Sequence, residues 1–258
     1  MICHTLAPDF VGVRLDDIPV PSPGPHDVLV KNRAACINFP DLLMTEGKYQ
    51  HRPDVPFVMG MESAGDVVEV GAEVEGIRAG DAVIVGAKSG AFAEYRVAPS
   101  HNVRPIPAGF DYAEAAAHTA GLLTAYVALV RLARLQSGES VLVHGAAGGV
   151  GLAAVMLAQH LGAHAIATAS SDAKRQWLRD HAQVRHVLEP GEHLRDEVMQ
   201  ISLKGVDVCF DPVGGDLFDR VVRQPAEQQI PVTESRLDEL PGLAIAKAED
   251  AVIAFRGV

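Results

Sequence analysis

The first hundred or so residues carry short hydrophobic, β-branched stretches set between polar and turn residues, and glycines punctuate them. Asp27-Val28-Leu29-Val30-Lys31 follows the turn-rich Pro21-Ser22-Pro23-Gly24-Pro25, and β-branched residues dominate 67–70 and 82–85. Gly60, Gly65, Gly71, Gly76, Gly80, Gly86 and Gly90 cut this region into short strands, the texture of a small barrel or sandwich. Near Asp111 the period changes. Leu122, Ala125, Tyr126, Leu129 and Val130 recur at helical spacing within 112–135, and Ser137-Gly138 stops that helix. The apolar strand Val141-Leu142-Val143 then runs into a glycine cluster. Behind it the pattern predicts a helix over 152–161 ended by Gly162, a strand at 165–167, a helix over 172–181 and a strand over 206–210. Strands alternating with helices predict βαβ units and a parallel sheet.

Composition narrows the class. The 258 residues are 48% hydrophobic and 21% charged, which excludes a disordered or low-complexity chain and leaves room for one large domain or two small ones. Lys+Arg 22 against Asp+Glu 33 gives a net charge of -11. An acidic chain with no basic stripe repels phosphate backbones, so no nucleic-acid partner is expected. Cys3, Cys36 and Cys209 are too few for a disulfide framework and point to a reducing compartment. The first nine residues carry neither a basic nor an apolar leader segment. The longest stretch free of Asp, Glu, Lys and Arg, 140–171, is interrupted by five glycines. No membrane partner and a cytoplasmic location are the resulting expectations.

The chemistry-bearing motif is Val141-Leu142-Val143-His144-Gly145-Ala146-Ala147-Gly148-Gly149-Val150-Gly151, a strand, a glycine loop and a helix. Glycines there let a backbone approach a pyrophosphate whose charge sits at the helix N-terminus. Dinucleotide binding through Ala146, Gly148, Gly149, Val150 and Gly151 is therefore expected; the alternative is a tight βα turn with no ligand. An NAD site places Asp or Glu at the end of the second strand. This chain has Thr168-Ala169-Ser170-Ser171 and then Lys174 and Arg175, so NADPH is favoured over NADH, with Ser170, Ser171 and Lys174 toward a 2′-phosphate.

Asn38-Phe39-Pro40-Asp41, Gly47-Lys48-Tyr49-Gln50, residues 60–71 with Glu62, Gly80-Asp81-Ala82-Val83, Leu123-Thr124-Ala125-Tyr126, the glycine loop and Asp211-Pro212-Val213-Gly214-Gly215 occur in one order. That order resembles the zinc-independent quinone oxidoreductases, the zeta-crystallin-like branch of the medium-chain dehydrogenase/reductase superfamily, over roughly residues 8–223. The resemblance implies an α/β plus β fold: a chaperonin-10-like β catalytic domain (1–115, completed by 230–258) and a dinucleotide-binding Rossmann domain (116–229). It implies NADPH and hydride transfer to a quinone or enone. By resemblance, Asn38 and Tyr49 line the pocket and Thr124 lies beside the nicotinamide; on composition alone Tyr49 reads equally as an exposed loop aromatic. Zinc-dependent relatives place Cys where this chain has Asn38 and His where it has Met61, and neither replacement is an ordinary zinc ligand, so no metal is expected.

After Arg223 the resemblance breaks. Gln224-Pro225-Ala226-Glu227-Gln228-Gln229 leads almost directly into Ile230-Pro231-Val232, which resembles the family's return to the β domain, so the second half of the doubly wound sheet is expected to be missing. The expected result is a shortened parallel sheet with an exposed edge, which puts a homodimer through that edge in doubt. Two functions stand: an NADPH-dependent quinone or enone reductase, and a shortened relative with little or no turnover that binds nucleotide or a protein partner. Fluorescence titration should give tighter binding of NADPH than of NADH, with the difference narrowed by Lys174→Ala. Equal affinities that ignore this substitution would contradict the 2′-phosphate assignment.

Overall fold

Residues 1–215, 217–218 and the backbone of 253–256 are described in a computed structural model of the chain. Two compact units result, Met1–Ala120 and Gly121–Val258. In the first, β1 (Ile2–Cys3), β2 (Val13–Arg14), β3 (Asp27–Cys36), α1 (Phe39–Thr45), β4 (Phe57–Val58), β5 (Glu62–Val70), β6 (Ala82–Gly86), β7 (Tyr95–Pro99) and β8 (Val103–Pro105) follow in chain order. β1 pairs with β2 and β4, and a five-stranded antiparallel sheet runs β7-β3-β5-β6-β8. Alternation along each strand decides which way its residues point. Val28, Val30, Val67, Val83, Val85, Ala98 and Val103 turn into one apolar cluster. Register shifts between β3 and β5 at Leu29/Val30 and Asn32/Ala34 bend the pair.

α2 (Tyr112–Tyr126) continues into a π-helical stretch, Val127–Leu132. By length and composition alone, its 21 residues at mean hydropathy 1.3 are long and apolar enough to cross a membrane. Here Ala115 and Ala116 are buried in a first-unit cluster, and Ala125, Ala128 and Leu129 in a second-unit one. The second unit continues with β9 (Ser140–Val143), α3 (Gly149–His160), β10 (His164–Thr168), α4 (Asp172–His181), β11 (His186–Leu188), α5 (Leu194–Ile201), β12 (Val208–Asp211) and β13 (Ile253–Arg256).

The sheet order is β11-β10-β9-β12-β13, with the first four strands parallel. Val141 and Val143 face Ala154, Val155 and Ala158 of α3 on one side, while Leu142, Ile166 and Cys209 face Leu194 and Val198 of α5 on the other. Both faces are covered, as the continuous apolar runs of these strands require. The chain order reverses between β9 and β12, and in open α/β sheets ligands bind at the carboxyl ends of the strands at such a point.

Two expectations change. β13 pairs antiparallel with β12, from Val208↔Arg256 to Asp211↔Ile253, so the β12 edge expected to be open is paired. An edge row of N–H and C=O groups is satisfied by any strand that can reach it, and this short strand does so in place of a parallel one. The same pairing puts 253–256 in the second unit, whereas the sequence reading assigned 230–258 to the β domain. The rest of that assignment, 230–252 and 257–258, lies outside the described residues.

Tyr112 ties the start of α2 to β5 by donating its hydroxyl to Asp66, which also accepts from Arg33 Nε at 2.7 Å. The Tyr112 hydrogen bond first, and Arg33 second, hold Asp66 below its ordinary value. A carboxylate with a lowered folded-state pKa stabilises the fold above its ordinary value and loses that contribution as pH falls through the lowered one. Tyr112→Phe should therefore be less stable than wild type in urea at neutral pH, with the gap narrowing in strong acid.

Candidate functional site

The loop between β9 and α3 owes its shape to two glycines. Gly145 sits at φ +58, and a Cβ there would stand 2.9 Å from Val213 Cγ2. At Gly151 a Cβ would stand 2.3 Å from the Gly145 carbonyl oxygen, so only glycine lets the helix start this close to the strand end. Gly148 is the N-cap, in extended conformation, and Gly149 begins α3 with nothing within 4 Å of where its Cβ would be. The amides of Gly149, Val150 and Gly151 fall in the first turn, where a helix supplies no acceptors. They form an anion cradle with open space at Gly149. The Ala146 amide donates to the Thr168 carbonyl and the Gly148 amide to that of Gly145, both at 2.9 Å, so both shape the loop.

Ser170 is exposed just past β10, at the position an acidic residue takes in NAD sites. Ser171 caps α4, accepting from the Lys174 amide at 3.4 Å, and the Lys174 side chain is exposed. Arg175 differs from the sequence reading. It is nearly buried, donates to the Ala169 carbonyl at 2.8 Å and pairs with Asp172, which leaves Lys174 as the open cation of the two. Thr124 lies one turn beyond Gly121, where a Cβ would be 3.2 Å from the Gly149 carbonyl oxygen; that close approach puts Thr124 on the side of α2 toward the glycine loop.

Asn38 and Tyr49 belong to the first unit. Asn38 Nδ2 donates to Glu62 Oε1 at 2.9 Å, and its backbone amide donates to Asp41 Oδ2 at 2.7 Å. Glu62 Oε2 accepts from the Ala120 amide at 2.8 Å. Both acids are 2% exposed, and burial first, with the Glu62 charge behind it, raises Asp41 above its ordinary value. Burial and then Glu62 push the Cys36 thiol up to about 11, so it stays protonated and unreactive at ordinary pH. Asp41 and Glu62 were not among the expected site residues, although an acid inside an apolar strand beside Asn38's motif was a usable signal. Tyr49 is half-buried against Cys3, Met44, Phe57 and Met59 rather than exposed. A cavity of about 870 Å³ also opens on this unit, lined by Ile18, Asn32, Arg33, Ile37, Asp41 and Phe92 among others, but by neither Asn38 nor Tyr49.

Comparison with known proteins agrees with this geometry. Residues 24–108 match the alcohol dehydrogenase GroES-like domain family and 149–228 the zinc-binding dehydrogenase family. The chain is 38% identical over 205 residues to the human synaptic vesicle membrane protein VAT-1 homolog, covering 79% of this chain and 52% of that protein. It is 37% identical over 226 residues to prostaglandin reductase-3 of Bos taurus, covering 86% and 59%. The crystal structure of Escherichia coli quinone oxidoreductase complexed with NADPH superposes with a TM-score of 0.77 at 32% identity, covering 85% of this chain and 67% of that one. A GroES-like β domain followed by a Rossmann-like domain defines a medium-chain dehydrogenase/reductase. The chain belongs to the quinone-oxidoreductase-like branch of that superfamily. It spans about half the length of the curated relatives it matches first.

NADPH and zinc fare differently against these residues. The glycine cradle and the serine-bearing strand end fit a dinucleotide. Zinc does not fit, since Asn38 offers an amide already donating to Glu62, Met61 a thioether, and among the described residues no three His, Cys, Asp or Glu side chains group as ligands. Gly151→Val should destabilise the fold by roughly 1–3 kcal/mol or more, because the backbone must move to admit it. Gly149→Ala should leave the unfolding midpoint unchanged and weaken nucleotide binding by filling open space. Denaturation curves with a nucleotide titration check both, and a Gly151→Val chain as stable as wild type would contradict the close approach.

Proposed function

We propose that the chain is an NADPH-dependent oxidoreductase that reduces a quinone or an electron-poor enone without a metal. The observation that carries this reading is the glycine turn onto α3, with its unpaired first-turn amides, opening beside a strand end that bears Ser170 and no acid. When bound, NADPH supplies the hydride. In this reading the amides of Gly149, Val150 and Gly151 take the pyrophosphate charge, and Ser170 with Lys174 takes the 2′-phosphate. Thr124 borders the nicotinamide end; within the first unit, Asn38 Nδ2 engages Glu62 and leaves its carboxamide oxygen available to accept. Such acceptors take hydride readily, so positioning and exclusion of water are the protein's main contributions, and water supplies the proton. By their names, the E. coli quinone oxidoreductase supports a quinone acceptor, and prostaglandin reductase-3 supports reduction of a prostaglandin-like acceptor.

The second reading is a shortened relative that binds nucleotide with little turnover. It is favoured by a sheet in which an antiparallel strand follows β12. Hydride transfer needs reacting atoms about 3–3.5 Å apart, so a loosely held nicotinamide loses turnover before binding is lost. Steady-state NADPH oxidation with a simple quinone separates the readings. Measurable adenine-nucleotide affinity is expected, with turnover well below that of the longer relatives and no stoichiometric zinc by elemental analysis. One zinc per chain, or ordinary enzyme rates that vanish with a chelator, would overturn the metal-independent reading.

A further inference from the structure

Three polar side chains stand in one rung at the carboxyl end of the parallel sheet. Ala167, Val143 and Phe210 are in register across β10, β9 and β12, so the next residues, Thr168, His144 and Asp211, lie side by side. They continue the face of Ile166, Leu142 and Cys209, the apolar rung two residues below. His144 and Thr168 are fully buried and Asp211 is 2% exposed. Each end of the rung is tied to a different loop. The Thr168 hydroxyl lies 3.0 Å from His144 Nδ1, and the Thr168 carbonyl accepts the Ala146 amide of the glycine turn. Asp211 Oδ1 accepts the amides of Val213 and Gly214, each at 2.9 Å, and so shapes the turn after β12. His144 Nε2 and Asp211 Oδ2 are sealed from solvent without a protein partner among the described residues.

Buried polar atoms at a rung between two such turns call for an account, since leaving them there is costly. We propose that His144 is a positioning residue. Its ring, hydrogen-bonded to Thr168 and next to Asp211 in the rung, fills the space between the two strand ends and thereby sets the spacing of the three loops, 144–148, 168–171 and 211–215, that border the dinucleotide site. The proposal rests on the dinucleotide reading above and adds the group that coordinates its loops. Burial lowers the His144 pKa while the Asp211 charge opposes that shift, so the ring is neutral at ordinary pH and Asp211 is its electrostatic neighbour. With Nδ1 accepting from the Thr168 hydroxyl, the neutral ring carries its proton on Nε2. Leucine offers Thr168 no acceptor. Glutamine keeps a polar end that can accept from the Thr168 hydroxyl.

The full chain carrying His144→Leu or His144→Gln tests this. Amide hydrogen exchange needs no nucleotide, and it should quicken at Ala146, Val213 and Gly214 in His144→Leu while α4 and α5 stay protected. NADPH affinity by fluorescence titration should fall about tenfold in His144→Leu, the scale of one lost supporting hydrogen bond, and return toward wild type in His144→Gln. Thr168→Val, which is isosteric, should move both readouts the same way and serves if His144→Leu does not fold. Unchanged exchange and NADPH affinity in folded His144→Leu and Thr168→Val would overturn the positioning role and leave the dinucleotide reading intact. A wild-type chain that binds no NADPH would overturn the dinucleotide reading and, with it, the proposal.

Discussion

At Gly151 the backbone of α3 runs so close to the Gly145 carbonyl that any Cβ would stand 2.3 Å from it. That approach lets β9 pass into α3 within five residues and aims the helix N-terminus at the crevice where the strand order reverses. The other features of the second unit's site follow from it. The first-turn amides face the crevice, Ser170 and Lys174 stand at the neighbouring strand end, and Gly121 of α2 comes close to the Gly149 carbonyl. A side chain at 151 would push the helix away and separate these groups.

The first unit follows a different physical logic. Asn38, Asp41 and Glu62 make a small polar cluster in which both acids are buried and accept from N–H donors rather than from a cation. A carboxamide where zinc-dependent relatives have a thiolate converts a ligand into a donor, and that donor engages Glu62.

The glycine loop and the change from a β to a βαβ texture were legible in the sequence because steric demands leave local marks. A position that tolerates no Cβ reads as glycine, and a strand buried on both faces reads as Val141-Leu142-Val143. The start of α3 was read late, at 152 instead of Gly149, because glycine is a poor helix former and masked the first turn. α5 went unread because its apolar positions, Leu194, Val198 and Ile201, are few and set among charges. What joins distant parts of the chain left no local mark. Asn38 with Glu62, Arg175 folded back on Ala169, the rung of Thr168, His144 and Asp211, and β13 closing the edge of β12 all depend on register between elements.

The central claim is that the N-terminus of α3 is an occupied pyrophosphate site when NADPH is present. Backbone amide resonances followed during an NADPH titration test it most directly. The account predicts saturable shifts largest at Gly149, Val150 and Gly151, with smaller ones at Ser170 and Lys174. Shifts confined to other surfaces, or none at saturating NADPH, would contradict it.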